Sequence, residues 1–312
     1  MKFYLAPMEG LTGYVYRNAH RACFGNLDRY FTPFLASKKL NSKEKREVLP
    51  ENNQGIEVVP QILTNKPGEF IAIVKQLEQR GYMKVNLNLG CPSGTVTAKN
   101  RGAGFLKVID ELEKFLEEIF NASPLSISVK TRIGAYHTEE FTQLIELYNK
   151  FPIEELIVHP RLMTEFYNGT PHLEEFALAV KGCVHPLCYN GDVNTIADYN
   201  RITGLFPSID RIMLGRGILA NPGLVNEING GDTITSEELK KFHALVYEGY
   251  KEAIGDERNT LFKMKELWVF MGKYLNNNEK VIKELRKSDN YMEYEVAVRN
   301  ALKCWSVQNG TV

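Results

Sequence analysis

The feature that most limits how this chain can fold is a repeated alternation of apolar and amphipathic segments, which continues to about residue 225. Eight apolar segments have the β-branched and aromatic composition of strands. Helix-type patterns lie between most of them, most clearly at residues 67–81, 108–120 and 139–151. The predicted strands are residues 2–6, 30–35, 56–63, 83–89, 125–130, 155–159, 186–190 and 211–214. Eight β/α units predict an α/β protein with a (β/α)8 TIM barrel.

An open doubly wound sheet is the alternative fold for such a pattern. Its usual mark is the dinucleotide-binding sequence GxGxxG, in which three glycines have fixed spacing. The nearest matches are Gly102-Ala103-Gly104 and Gly215-Arg216-Gly217, and each lacks the third glycine. The sequence therefore favours the closed barrel.

A cysteine stands in a constrained turn directly after the fourth predicted strand. Residues 85–106 read VNLNLGCPSGTVTAKNRGAGFL and place Cys91 between Gly90 and Pro92. Glycine permits unusual backbone angles, whereas proline restricts its own φ and the residue before it. We therefore expect the turn to hold the Cys91 thiol rigidly. A buried cysteine that serves only as a small apolar side chain is the alternative from this segment alone.

Polar and small residues follow the predicted strands at their carboxyl ends. In a barrel these ends form one rim, which is the catalytic face. Each residue alone has a structural explanation, such as an ordinary turn or a hydrogen bond at a strand edge. Because polar side chains gathered at a barrel mouth are costly to bury, their coincidence predicts a binding site. The residues are Pro7, Met8, Glu9, Gln61, Asn88, Cys91, Lys130, Arg132, His159, Arg161, Asn190, Gly191, Asp192, Gly215, Arg216 and Gly217.

The sequence changes character after about residue 229. Gly230-Gly231 is a break, and Thr235 followed by Glu237 and Glu238 is an N-cap with early acidic residues. The pattern then stays helical to about residue 306. The sequence therefore predicts two domains, a catalytic barrel over residues 1–229 and a small helical domain over residues 230–312.

Charge and cysteine content narrow the class of protein. With 38 basic and 38 acidic residues, any nucleic-acid footprint must be local. Basic excesses occur at residues 37–46 and at residues 263–287, where seven basic residues stand against three acidic ones, although a solvated helix face is the commoner cause. Five cysteines without a CxxC pair predict no disulfide framework, no metal site and a reducing cytoplasm. The opening MKFYLAPMEG predicts neither a secretory signal nor a membrane span.

Seven motifs occur in order through the predicted barrel. They are APMEGLT at residues 6–12, PQILTNKP at 60–67, NLNLGCPS at 86–93, SVKTRIG at 128–134, IVHPR at 157–161, YNGDV at 189–193 and MLGRG at 213–217. Together they resemble the tRNA-dihydrouridine synthase family. The combination of NLNLGCPS with SVKTRIG and IVHPR is the most specific part, and the opening APMEG is most similar to bacterial members. The helical tail resembles the C-terminal RNA-binding domain of that family in size and character.

The resemblance implies an FMN enzyme that uses NADPH to reduce particular uridines of tRNA to 5,6-dihydrouridine, and Cys91 matches its catalytic cysteine. The sequence departs from many relatives at Pro160, where they have a small or polar residue. No membrane or protein partner is indicated. The implied cofactor-binding residues are Pro7, Met8 and Glu9 along the flavin ring, Gln61 and Lys130 at its polar edge, His159 beside it, and Asn190, Gly191, Asp192, Gly215 and Arg216 around the ribityl chain and phosphate.

Barrel geometry and charge are consistent with these roles. Loops after the seventh and eighth strands of a barrel often hold phosphate, because glycine N–H groups can approach it closely while Arg216 supplies charge. Lys130 would stabilise negative charge on a reduced flavin. A Schiff-base amine, as in an aldolase barrel, is the alternative role for Lys130 and would leave Cys91 without a task.

The chemistry of uracil explains the cysteine. Hydride added at carbon 6 leaves enolate charge at carbon 5, which then needs a proton. A thiol with an ordinary pKa of about 8.5 is mostly protonated at neutral pH, so we expect Cys91 to be a general acid rather than a nucleophile. A uridine in folded tRNA must leave its stack before it can react. We therefore expect basic residues to bind the phosphates on either side of it. The expected substrate-binding residues are Asn88, Lys99, Arg101 and Arg161.

Three other functions remain open from the sequence. A small-molecule flavin reductase of the dihydroorotate type would explain the rim but not the helical tail. A Schiff-base aldolase would use Lys130 and would be colourless when purified. A non-catalytic RNA-binding module would not depend on Cys91.

Overall fold

Nine strands among the described residues form the barrel as one parallel sheet. The computed structural model describes residues 1–275 and 279–305. The strands are β1 (Lys2–Leu5), β2 (Arg29–Phe31), β3 (Val58–Val59), β4 (Gln61–Ile62), β5 (Lys84–Leu89), β6 (Ser126–Gly134), β7 (Leu156–Leu162), β8 (Leu187–Tyr189) and β9 (Arg211–Leu214). Their hydrogen-bonded order is β3-β2-β1-β9-β8-β7-β6-β5-β4.

The two ends of this order meet at Pro60. Strands β3 and β4 are consecutive in the chain, and Pro60 between them has no N–H to donate to a ladder. Strand β3 pairs with β2, and β4 pairs with β5, so together they fill the place of the single strand predicted at residues 56–63. The sheet is a nearly closed parallel barrel, and the predicted TIM-barrel fold is confirmed.

Helices follow most of the strands, and the three clearest helical patterns in the sequence form α3, α5 and α6. The helices are α1 (Tyr14–Cys23), α2 (Ser42–Val48), α3 (Pro67–Glu78), α4 (Gly94–Thr97), α5 (Ile109–Ala122), α6 (Glu140–Tyr148), α7 (Leu173–Gly182), α8 (Ile196–Leu205), α9 (Arg216–Ala220), α10 (Leu224–Ile228), α11 (Ser236–Ile254), α12 (Glu257–Met271), α13 (Glu279–Lys287) and α14 (Tyr291–Cys304). In the described part of the chain, no helix is both long and apolar enough to cross a membrane.

The chain packs as two compact units. The first contains Met1–Pro7, Asp28–Asp192 and Thr203–Met213, and the second contains Met8–Leu27, Val193–Ile202 and the described residues from Leu214 onward. The helical character predicted for the tail is confirmed by α11, α12, α13 and α14, which contain most of the described residues between 236 and 304. Residues 276–278 of the predicted basic stretch and 306–312 of the predicted tail lie outside the described residues. The predicted domain boundary at residue 229 stays a prediction.

The interior of the barrel, in the first unit, is layered. Its middle is an apolar cluster contributed by strands around the ring, as expected from the alternation of inward and outward side chains. The cluster consists of Tyr4, Ala6, Phe31, Val59, Ile157, Cys188 and Met213. At the amino end of β7, fully buried Glu155 accepts a 3.0 Å hydrogen bond from the Tyr4 hydroxyl and pairs with Arg211 at 2.6 Å. A buried charge that is paired and hydrogen-bonded thus closes the amino end.

Strands β6 and β7 are longer than the sequence predicted. The predictions ended at Lys130 and His159, whereas the strands continue to Gly134 and Leu162. The ladder between them passes through Arg132 paired with His159 and shifts register before Gly134. Lys130 and Arg132 therefore lie within β6 rather than at its end. The prediction failed because a charged residue indicates a strand end only when its charge reaches solvent, and Arg132 is buried.

Candidate active site

The turn that carries Cys91 is held by the side chain of Asn88. The Oδ1 of Asn88 accepts hydrogen bonds from the backbone N–H of Gly90 at 3.0 Å and of Cys91 at 2.9 Å. On the other side, the carbonyl of Cys91 accepts from the N–H of Ala103 at 3.0 Å. Cys91 forms no disulfide with the other described cysteines and is partly exposed. The backbone of Cys91 is therefore fixed from both sides while its side chain stays accessible.

The glycine that this turn requires is Gly102. Its φ is +56°, and a Cβ built there would lie 2.7 Å from the carbonyl oxygen of Cys91. Any larger residue would both strain the backbone and push Cys91 away. The sequence pattern predicted that Gly90 would supply this backbone freedom. A Cβ at Gly90 would, however, make only ordinary contacts, the nearest at 3.7 Å. The rigidity predicted for the turn is present, but Gly102 and Asn88 provide it.

A buried ladder of side chains extends from Asn88 into the barrel. Asn88 donates to the Oε1 of Gln61 at 2.7 Å, and Gln61 donates to the Oδ1 of Asn86 at 2.7 Å. Asn86 donates to the hydroxyl of Ser128 at 2.9 Å, and that hydroxyl donates to the carbonyl of Val85 at 3.2 Å.

The polarity of this ladder is set by backbone groups at its two ends. The single hydroxyl proton of Ser128 goes to the Val85 carbonyl, so the hydroxyl must accept from Asn86. Each amide after it is then oriented in turn, and Asn88 is left with its oxygen towards the N–H of Cys91. Gln61, predicted to meet the flavin, keeps one N–H beyond those used within the ladder.

A lysine, Lys130, lies on β6 at this face of the barrel. It pairs in register with Asn88 on β5. Burial and, to a smaller extent, the charge of Arg132 lower the pKa of Lys130 to about 8, while Cys188 and Cys91 act in the opposite direction. Within residues 1–275 and 279–305, its ammonium group has no hydrogen-bonding or ion-pair partner. An uncompensated cation in a poorly solvated position is suited to bind an anionic or electron-rich group.

Two buried arginines support the loops around this cation. Arg132 donates to the carbonyl of Gly90 at 2.8 Å, of Leu162 at 2.9 Å and of Phe166 at 2.7 Å. It thereby ties the Cys91 turn to the segment after β7. Burial lowers the pKa of Arg132 to about 10. Because this value is still well above 7, the group stays charged at neutral pH. The sequence placed Arg132 on the rim but gave it no role.

Arg161 forms a bidentate pair with Asp192. Its Nη2 lies 2.5 Å from Oδ2, and its Nη1 lies 3.3 Å from Oδ1. Nη1 also donates to the Nε2 of His159 at 3.1 Å, which leaves the His159 proton on Nδ1. The remaining donors reach the carbonyls of Asn168 and Gly169 at 3.1 and 2.7 Å. All five N–H groups of Arg161 are thus used inside the protein, and a contact with substrate would require one of these bonds to break.

The predicted phosphate residues divide between the two units. In the first, Asn190 donates to the carbonyl of Met213 at 2.8 Å, and a Cβ at Gly191 would lie 2.1 Å from the Tyr189 hydroxyl oxygen. In the second, Gly215 and Arg216 stand at the start of α9. The remaining predicted cofactor residues are Pro7, in the first unit, and Met8 and exposed Glu9, in the second.

The two basic residues predicted beside Cys91 differ in their surroundings. Lys99 is exposed, and its ammonium has no ion pair among the described residues. Arg101 instead forms an ion pair with Glu69 at 3.0 Å. Burial would raise the pKa of Glu69, but the hydroxyl of Thr64 and the charge of Arg101 lower it overall. Lys99 is therefore the more available of the two for a phosphate.

Comparison with known proteins places the chain in a family. Residues 4–306 match the family model described as Dihydrouridine synthase (Dus). The chain belongs to this family. It is an enzyme of the flavin-dependent oxidoreductase class, and the aldolase and RNA-binding-module hypotheses are excluded.

Two relatives of the dihydrouridine synthase family illustrate the relationship. A Staphylococcus aureus (strain COL) protein named "Probable tRNA-dihydrouridine synthase" is 30% identical over 235 residues, which is 70% of this chain and 69% of the relative. The tRNA-dihydrouridine(16) synthase of Aquipseudomonas alcaligenes is 28% identical over 245 residues, covering 73% of this chain and 75% of the relative. Among solved structures, morphinone reductase has a TM-score of 0.51 at 10% identity, covering 77% of this chain and 88% of that protein, and this likeness concerns the fold alone.

Proposed function

We propose that this dihydrouridine synthase reduces the 5,6 double bond of particular uridines in tRNA, with FMN as cofactor, NADPH as hydride donor and Cys91 as general acid. The observation that carries the proposal is the Cys91 turn, fixed by Asn88 and Gly102 at the carboxyl end of β5. The nearby cation Lys130 supports it. The cytoplasm, where tRNA is processed, is the proposed location.

The donor set of the first unit fits FMN. The polar edge of an isoalloxazine ring accepts hydrogen bonds and gains negative charge on reduction. Lys130 has an ammonium group with no partner among the described residues, and Gln61 retains one N–H. At Gly191 the Tyr189 ring occupies the place that a Cβ would take, so only glycine fits at this position of the predicted phosphate loop. Lys130 and Gln61 would hold the ring edge, and Arg216 is assigned to the phosphate from its motif alone.

When bound, FMN supplies hydride chemistry between NADPH and the uracil ring. The protein must do three further things. Cys91 must deliver a proton to carbon 5 of uracil, and the bond from its N–H to Asn88 fixes where the thiol starts. Lys130 must stabilise negative charge near the reacting groups. Lys99 must hold the RNA by its phosphates, since its ammonium is exposed and without an ion pair in the described part of the chain.

One experiment tests the whole proposal. The purified protein should carry a flavin that denaturation releases as FMN, and anaerobic NADPH should bleach its visible absorbance. Unmodified tRNA transcript should then restore the oxidised spectrum and gain one dihydrouridine per turnover, while free uridine and orotate should not react. Protein fully loaded with FMN that reduced orotate and not tRNA would point to a small-molecule reductase instead.

A further inference from the structure

The segment from Leu162 to Gly169, which begins at the last residue of β7, is anchored to the barrel by two arginines. Arg132 donates to the carbonyls of Leu162 and Phe166, at 2.9 and 2.7 Å. Arg161 donates to the carbonyls of Asn168 and Gly169, at 3.1 and 2.7 Å. Both arginines are at most 1% exposed, so four carbonyls of the segment are tied to groups that cannot move freely. The segment is therefore a rigid part of the barrel mouth.

Two large aromatic side chains on this rigid segment remain in contact with solvent. Phe166 is 47% exposed and Tyr167 is 50% exposed. The Tyr167 ring centroid lies 5.5 Å from the guanidinium carbon of Arg132 and 6.1 Å from the ring of His159. Arg132 connects both residues to the candidate active site, because it also donates to the carbonyl of Gly90 beside Cys91. Exposed apolar rings beside a binding site are typical of a surface that meets a ligand.

The backbone of Phe166 is strained. Its φ is +54° and its ψ is −97°, a combination that residues with a Cβ rarely adopt. Glycine would take this conformation readily, yet a phenylalanine occupies it with almost half of its side chain exposed. Packing of the ring in the core therefore does little to offset the strain. Residues held in such conformations concentrate at ligand-binding sites, where the surrounding structure enforces them.

We propose that Phe166 and Tyr167 form a stacking platform for an unstacked base of the tRNA, adjacent to the uridine that is reduced. The inference rests on the proposed function. When the target uridine leaves its stack, a flanking base loses a neighbour and exposes a π-face. Proteins commonly receive such bases on aromatic rings, because every base offers a flat face. The two arginines preorganise the platform, so little conformational entropy is lost when RNA binds.

The platform is tested by removing and restoring the rings. We expect Phe166→Ala and Tyr167→Ala each to raise the KM for unmodified tRNA transcript, and its dissociation constant, by roughly 5- to 150-fold, the usual weight of one stacked base. Phe166→Trp should restore both values, because it keeps an aromatic face. Met83→Ala is the matched control, since Met83 is 72% exposed but precedes β5 at the opposite end of the barrel. It should change neither value.

A second comparison uses the strain. Phe166→Gly and Phe166→Ala both lack the ring, so they should weaken tRNA binding equally. Glycine relieves the positive φ, whereas alanine keeps a Cβ in it. We therefore expect the glycine variant to melt roughly 2–4 °C above the alanine variant. An equal loss of tRNA binding in two variants of different stability cannot come from general damage to the fold.

The outcomes separate the platform from the proposed reaction. Wild-type enzyme that reduces tRNA, with KM and binding unchanged in Phe166→Ala and Tyr167→Ala, would overturn the platform alone. The platform would also be overturned if these variants reduced their flavin more slowly with NADPH and kept the wild-type affinity for tRNA. The rings would then serve the nicotinamide nucleotide. Phe166-dependent tRNA binding by a wild-type protein that does not reduce tRNA would support the platform and contradict the proposed reaction.

Discussion

The Oδ1 of Asn88 accepts the backbone N–H of Cys91 at 2.9 Å, and the same Asn88 side chain donates to Gln61 at 2.7 Å. One amide thus connects the expected proton donor to a residue expected at the flavin edge. The ladder continues through Asn86 and Ser128, so the orientation of the Cys91 turn depends on groups buried in the barrel. Asn88 was predicted to bind substrate, and this geometry also makes it a positioning residue for Cys91.

Replacing Asn88 should misplace Cys91. In Asn88→Ala the N–H groups of Gly90 and Cys91 lose their acceptor, and we expect the tRNA step to slow roughly 10²-fold, as small misplacements of reacting groups do. Asn88→Asp keeps the acceptor but not the donor to Gln61, so it should recover part of the rate. Single-turnover oxidation of the reduced enzyme by tRNA measures the effect.

Asn149→Ala is the matched control for Asn88. Asn149 also bridges backbone groups, donating to the Gly182 carbonyl at 2.8 Å and accepting from the Val184 N–H at 3.1 Å. It should lower the unfolding temperature without changing the tRNA step. Equal rates for Asn88→Ala and wild type would show that the turn holds Cys91 without Asn88.

The two half-reactions should separate at Cys91. Flavin reduction by NADPH requires no proton at uracil carbon 5, so Cys91→Ala should leave that step nearly intact. The tRNA step should slow by roughly 10²–10⁴, the usual contribution of a positioned general acid. Cys91→Ser should also be slow, because a hydroxyl is a much weaker acid than a thiol. Stopped-flow absorbance of the flavin distinguishes the steps, and wild-type speed in Cys91→Ser would refute the general-acid role.

Lys130 should destabilise the flavin-free protein and stabilise the complex. Its pKa falls from 10.5 to about 8, so the folded state disfavours the charged form. The free energy of unfolding is therefore reduced at pH 7, recovers as pH rises through 8, and is fully recovered above about 10.5. We expect Lys130→Met to raise the free energy of unfolding of flavin-free protein at pH 7 by roughly 1–3 kcal/mol.

The same variant should bind FMN more weakly. Wild-type affinity for FMN should fall as pH rises through about 8, whereas Lys130→Met should show no such dependence. Denaturant titrations and fluorescence titrations with FMN measure the two effects. If Lys130→Met destabilised the flavin-free protein and kept the pH dependence of FMN binding, the cation would be serving the fold instead.

Arg216 was assigned to the phosphate from its motif, and flavin retention tests that assignment. We expect Arg216→Ala to weaken FMN binding by roughly 10- to 100-fold, the range for a hydrogen bond to a charged group. The ratio of flavin to protein after gel filtration measures this. Arg201→Ala, an exposed arginine of α8, is the control and should retain its flavin. A fully loaded Arg216→Ala protein would remove Arg216 from the phosphate site.

The barrel could be predicted from the sequence because its signal is local and repeated. Each strand needs only a few apolar residues in alternation, and eight such segments leave little choice of fold. The position of Cys91 after β5 followed from the same pattern. Arg132 and Arg161 were harder to place, because their charges are compensated by carbonyls and by Asp192 that lie far along the chain.

The amide ladder could not be predicted in the same way. Asn86 and Ser128 are 42 positions apart, and their contact exists only because β5 and β6 pair in the observed register. One signal was available, since VNLNL places Asn86 and Asn88 on the same face of a strand whose other residues are apolar. Two polar residues on one face of a buried strand indicate a polar partner on a neighbouring strand. The partner itself requires the register.

The second unit should lose stability in acid through His243. Trp268 donates to the Tyr294 hydroxyl at 3.0 Å, so that hydroxyl gives its own proton to the Nε2 of His243 at 2.7 Å. Protonation of Nε2 would break this bond, and burial lowers the pKa of His243 from 6.5 to about 4. Because the folded pKa is the lower one, the stabilisation is complete above about 6.5 and is lost as pH falls towards 4, by about 3 kcal/mol.

Replacement of His243 by glutamine tests this account. The Oε1 of a glutamine can accept from the Tyr294 hydroxyl but does not titrate, so His243→Gln should have a flatter dependence of unfolding free energy on pH between 6.5 and 4. Some dependence should remain, because burial also lowers the pKa of His20 to about 4. His137→Gln, at an exposed position, should keep the wild-type slope. The substitution removes the titrating imidazole and keeps an acceptor for Tyr294. An unchanged dependence of unfolding free energy on pH in His243→Gln would therefore mean that other groups control acid unfolding.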